Sequence, residues 1–233
     1  GGDGDGIVVS FTGGYASNPL PSFVINGNGG VVVRNNVVNQ VAGNGPDRDD
    51  GRSAGDGIRI RSADGAVEIL ENQVATSVGG NIANDGIQVW DVVGTVTVND
   101  NTIGSAASIG VGLSGDGDGI VVENTNFYAL KAGPDFQGAV SIVGNSVANV
   151  VGSASTDADG ANILYPAVGP ENAPVQFISA GDGIRAAFID GAVLIDDNAV
   201  LNVAGDGIQA YYVAGAGGGG NAVPTTGKSA ARG

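Results

Sequence analysis

Five copies of the tetrapeptide Gly-Asp-Gly-Ile, a second recurring segment of the form G-x-V-x-[IV]-x-x-N-x-[VI], and a two-residue alternation of apolar and polar side chains within both predict one fold class. That class is all-β: a right-handed parallel β-helix, a solenoid of about six to seven coils with loop insertions.

Taken in chain order, the first marker stands at Gly4 to Ile7 and the others at Gly55 to Ile58, Gly117 to Ile120, Gly181 to Ile184 and Gly205 to Ile208. A variant occupies Asn84 to Ile87, and Ala158 to Ala161 is a weaker copy. The marker aspartates are Asp5, Asp56, Asp85, Asp118, Asp159, Asp182 and Asp206. Their spacing runs from roughly two dozen to roughly fifty residues, so the shortest intervals define the coil and the longer ones are coils with loops. The insertions fall at 12 to 28 and 124 to 137.

The second segment follows the markers from Gly4 to Gly181 as Gly29, Val31, Val33, Asn36 and Val38, then from Gly65, Gly94, Gly138 and Gly191 with Asn72, Asn101, Asn145 and Asn198 in the Asn position. Ile58 and Ile60 alternate with Arg59 and Arg61, and Val67 and Ile69 with Ala66 and Glu68, which gives each short strand one apolar side. Gly, Asn and Asp punctuate the strands, so the chain bends several times per coil. Stacking places Ile7, Ile58, Ile87, Ile120, Ile184 and Ile208 in one buried column, and Val31, Val67, Val96, Val140 and Val193 in another.

From Gly4 to Val213 the alternation of a G-I-x-V strand with a V-x-I-x-x-N-x-I segment resembles the parallel β-helix repeat family, which includes pectate-lyase-like enzymes and many bacterial surface proteins. The resemblance implies the fold but no single activity, because that scaffold carries lyases, hydrolases, adhesins and passive stalks. It also implies that Asn36, Asn72, Asn101, Asn145 and Asn198 form an internal ladder of stacked amides, with Asn accepting the left-handed backbone of the turn.

The column Asp5, Asp56, Asp85, Asp118, Asp182 and Asp206 is the second expected ladder. Stacked carboxylates repel, and two devices offset this: each Asp accepts N–H groups of its own Gly turn, or Ca²⁺ bridges some of them. The calcium candidates are Asp116, Asp118, Asp157 and Asp159, although the spacing matches neither an EF-hand loop nor the nonapeptide of calcium-binding β-rolls. No other cofactor is expected.

Composition narrows the remaining chemistry. There is no His, Cys or Met in the 233 residues, which removes imidazole bases, thiolates, disulfides and most soft-metal ligation. The net charge of -15 opposes binding to nucleic acid. No apolar run is long enough to insert in a membrane. Glycan binding remains open on the outward positions after the marker, where Trp90 and Tyr211 would be stacking platforms and Arg59, Arg61 and Arg185 would pair uronate carboxylates. The structural alternative is a solvated face partly covered by the insertions.

Catalysis lacks the expected parts. Asp196 and Asp197 are adjacent and point to opposite faces, no Gly-His-Gly element is present, and the R-x-P-x-x-R stretch of the lyases is missing. A calcium-dependent polysaccharide lyase is the runner-up to an extracellular or cell-surface structural or adhesive element. Residues 1–213 are read as the β-helix domain and 214–233 as a Gly-rich flexible tail. The start at Gly1 reads as a processed chain or a piece of something longer, and with no capping helix visible the expected partners are further copies stacked end to end, or neighbouring domains.

Overall fold

The computed structural model describes residues 5–12, 30–42, 55–110, 117–123, 125, 139–151, 181–214 and 225–229. Every helix or strand element among them is a β-strand, and the strands recur as units. The first holds β1 (Ile7–Thr12), β2 (Val31–Arg34) and β3 (Val37–Val38); the second β4 (Ile58–Asp64), β5 (Val67–Leu70) and β6 (Gln73–Val74). The third holds β7 (Ile87–Val93), β8 (Val96–Asn99) and β9 (Thr102–Ile103); the fourth β10 (Ile120–Glu123), β11 (Val140–Val143) and β12 (Ser146–Val150). The fifth holds β13 (Ile184–Asp190) and β14 (Val193–Val203), and the sixth β15 (Ile208–Ala214) and β16 (Thr225–Ser229).

These strands form two parallel sheets. The leading strand of every unit joins a 6-stranded sheet in the order β1-β4-β7-β10-β13-β15. The later strands join a 10-stranded sheet that runs β2-β5-β8-β11-β14 and returns through β12-β9-β6-β3. The sheet folds back on itself because β14 belongs to both rows: residues 193–196 pair β11 and residues 199–203 pair β12. The chain turns between them at Asp197, whose φ is 50°.

The register reproduces both apolar columns read from the sequence. Ile7 pairs Ile58, then Ile87, Ile120, Ile184 and Ile208 follow in line. Val31, Val67, Val96, Val140 and Val193 stack likewise. All belong to, or pack against, one apolar core. A further column, Val41, Ile82, Ile109 and Val150, is tied by single bridges outside the named strands and was not anticipated. Burying each such side chain is worth about 2 kcal/mol, and no unit can bury its own without a neighbour above or below.

Ile120 pairs Ile184 directly, and the weak marker copy at Ala158 to Ala161 lies outside the described residues. Two details differ from expectation. The stretch 214–233, expected to be a flexible tail, contains β16, which pairs β14 in parallel from Ile195↔Thr225 to Val200↔Ser229. Backbone pairing at a sheet edge needs no apolar alternation, and Thr225 to Ser229 has none. Finally, the left-handed residue at the Asn corner is not the ladder Asn but the one before it. Asn35, Glu71, Asp100, Gly144 and Asp197 have φ of 57°, 55°, 57°, 70° and 50°. Four of those five are Asn, Asp or Gly, the residues that adopt this conformation at least cost.

Candidate functional site

The polar side chains inside the stack form two ladders running in opposite directions. In the Asn ladder each member donates both its backbone N–H and its amide Nδ2 to Oδ1 of the next unit's Asn, from Asn36 to Asn72, Asn101, Asn145 and Asn198, at 2.9 to 3.0 Å. The same Nδ2 reaches back to a carbonyl of the preceding unit: Asn72 to Val33, Asn101 to Ile69, Asn145 to Val98 and Asn198 to Ile142. Each of these four amides therefore bonds to the unit before it, and three of them also to the unit after.

The Asp ladder is built on Oδ1 acceptors. Oδ1 of Asp5 accepts the Asp56 N–H at 3.0 Å, Asp56 that of Asp85 at 3.1 Å, Asp85 that of Asp118 at 2.7 Å, Asp118 that of Asp182 at 2.7 Å, and Asp182 that of Asp206 at 2.7 Å. The expected cap on each aspartate's own Gly turn is thus replaced by a bond to the next turn. The reason is that the turn's own N–H is already engaged: Gly57 donates to the Asp85 carbonyl and Gly86 to that of Asp118, both at 2.9 Å.

The second carboxylate oxygen is served from the outward column that reads Val8, Arg59, Gln88, Val121, Arg185 and Gln209 in register. Gln88 Nε2 donates to Asp85 Oδ2 at 3.0 Å and Gln209 Nε2 to Asp206 Oδ2 at 3.3 Å. Val8 and Val121 can donate nothing, and in both cases the arginine one unit later reaches back. Arg59 Nη2 lies 2.8 Å from Asp5 Oδ2, and Arg185 Nη2 lies 3.1 Å from Asp118 Oδ2. Arg185 Nε also meets Glu123 Oε1 at 3.3 Å.

Burial acts against the charges that remain. Desolvation and the neighbouring Asp56 and Asp118 push the Asp85 carboxyl well above the usual range. Asp118 is raised to about 7, by burial first and by Asp182 and Glu123, with Arg185 opposing the rise. The ladder is thus neutralised by cations at some positions and favours a bound proton at others.

Arg59 and Arg185 have side chains only 14% and 13% exposed and face the Asp ladder. Arg61 stacks on the Trp90 ring at 5.1 Å from its centroid. Gln88, Val121 and Glu123, on the equivalent positions of β7 and β10, are buried. The Tyr211 side chain, Asp116 and Asp157 lie outside the described residues, as does nearly all of the insertions at 12 to 28 and 124 to 137. Among the described residues no three carboxylates gather as a metal-ion cluster. At the adjacent acids, the Asp197 N–H donates to Asp196 Oδ1 at 3.0 Å.

A recess of about 440 Å³ opens at the first unit, lined by Asp5, Gly6, Ile7 and residues 36–42. No family model, curated protein or solved structure matches the chain.

Proposed function

We propose that the chain is a right-handed parallel β-helix that serves as an extracellular structural or adhesive element. The observation that carries the reading is the engagement of Arg59 and Arg185 with the Asp ladder, which turns the most reactive-looking side chains into ties between layers. Parallel crossover connections within one sheet are almost always right-handed, which supports the hand. Long runs of small and β-branched residues, with no His or Cys, suit a passive rod.

The test is the double variant R59M/R185M, assayed for thermal stability and for binding to acidic polysaccharide. Under the structural reading, Tm falls substantially, since removing one partner of a buried pair costs about 3–5 kcal/mol, and polysaccharide retention is unchanged. Loss of polysaccharide binding at constant Tm, or release of unsaturated products by the parent protein, would transfer the assignment to a glycan-binding or lyase function. Surface labelling of intact cells with an antibody to the chain tests the location, and a signal only after permeabilisation would refute it.

A further inference from the structure

Each boundary between successive units carries the same three hydrogen bonds at the marker. The N–H of the Gly after the marker Asp donates to the next unit's Asp carbonyl: Gly6 to Asp56, Gly57 to Asp85, Gly86 to Asp118, Gly119 to Asp182 and Gly183 to Asp206, all at 2.9 Å. The Ile N–H donates to the next Gly carbonyl, from Ile7 to Gly57 through Ile184 to Gly207, at 3.0 to 3.1 Å. In return the next unit's Asp N–H donates to Oδ1 of the Asp before it.

This set has a direction, so the two ends hold opposite halves of it. At the first unit the carbonyls of Asp5 and Gly6 and the N–H of Asp5 have no partner among the described residues. At the last unit the same holds for the N–H groups of Gly207 and Ile208 and for Oδ1 of Asp206. Two donors and an acceptor at one end match two acceptors and a donor at the other, in the same geometry.

Apolar surface follows the same division. Ile7 and Val9 at one end, and Ile208, Ala210 and Val213 at the other, are only partly buried, while their equivalents in the inner units are fully buried. The recess at the first unit is lined by the partly buried Ile7 together with Val38 and Val41 of the core, on the side that a preceding layer would cover.

We propose that the last unit of one copy stacks on the first unit of the next, joining copies head to tail in the register that joins units within the chain. The inference rests on the layered reading of the fold given above. Gly207 and Ile208 donate to the Asp5 and Gly6 carbonyls of the next copy, whose Asp5 N–H returns to Asp206 Oδ1. The contact is heterologous, so it propagates as a filament and does not close on itself. It also fixes a side-chain pair: with Ile208 over Ile7, Gln209 stands beside Val8 of the next copy.

Because the chain has no cysteine, that pair can be read by oxidation. Directly stacked strands lie ~4.8 Å apart, within disulfide reach, whereas Val8 and Gln209 of one copy are about five layers apart, ~24 Å. The full-length V8C/Q209C variant is expected to give a ladder of dimers, trimers and longer species under mild oxidation. A mixture of the V8C and Q209C single variants should give mixed dimers joined at those two positions, identified by peptide mass spectrometry. The V32C/E68C variant, at an exposed pair in register between β2 and β5, should close within one molecule. If V32C/E68C closes while V8C/Q209C stays monomeric at every concentration, the joint is wrong and something else covers the ends. If V32C/E68C fails to close, the layered reading falls and the joint falls with it.

Discussion

At the residue scale, position along a ladder decides how much a side chain contributes. Asn101 accepts two hydrogen bonds from Asn72 and donates to Ile69, Asn99 and Asn145, whereas Asn36 has no ladder neighbour before it among the described residues. Asn101→Ala is expected to cost roughly 3 kcal/mol and Asn36→Ala about 1 kcal/mol, measured by denaturant unfolding; equal costs would contradict a continuous ladder. The aspartates make a prediction of the opposite kind. Raised carboxyl pKa values mean that the folded state favours the protonated form. Their penalty is absent below about pH 4, where the unfolded chain is protonated too, and grows as pH rises. It is complete above about 7 for Asp118. Tm should therefore fall between about pH 4 and about pH 7, the reverse of the usual acid lability. Asp85→Asn keeps an oxygen for the Asp118 N–H and turns an amide toward Gln88, whose own amide can donate or accept. It should flatten the pH dependence and raise Tm at alkaline pH. Both ladders were legible in the sequence, because the same residue type recurs at one offset from the marker. Their hydrogen-bond partners were not, since the arginine that serves Asp118 is Arg185 and belongs to the following unit.

At the element scale, the glycine after the marker Asp is fixed by space and not by backbone freedom. A Cβ on Gly86 would stand 2.5 Å from the Gly119 carbonyl oxygen and 2.7 Å from Ile103 Cγ2, and one on Gly57 would meet Gly86 and Val74 in the same way. The leading strand begins where the third strand of its own unit and the next unit's turn both press against it. Gly86→Ala should destabilise by roughly 2–3 kcal/mol, while Gly30→Ala, whose Cβ meets nothing nearer than 3.6 Å, should be close to neutral. Comparable urea midpoints for the two would refute the close approach. Strand positions were readable from the alternation around Ile58 and Val67. The β16 pairing and the bridged column through Ile82 and Ile109 were not, because neither has a period-two pattern and both depend on which edge lies alongside.

At the scale of the whole molecule, neighbouring units supply nearly all of one another's contacts, and the chain between them is of secondary weight. Asp118 and Asp182 are 64 residues apart and bonded at 2.7 Å, while Asp182 and Asp206, 24 residues apart, are bonded at the same distance. Lengthening a connection costs only about 0.6 kcal/mol per doubling. The number of units was hard to read from sequence for this reason: markers that stack directly on one another can be separated by connections of very different length. The uneven tether has a practical meaning. A foreign peptide of about ten residues spliced between Val151 and Gly181 should leave the melting temperature within about 1 °C of the parent, and a large drop would show that this connection is structurally constrained. Because the layers on either side are joined by direct strand pairing, Ile120 with Ile184, added length there would leave the register of the stacked strands unchanged.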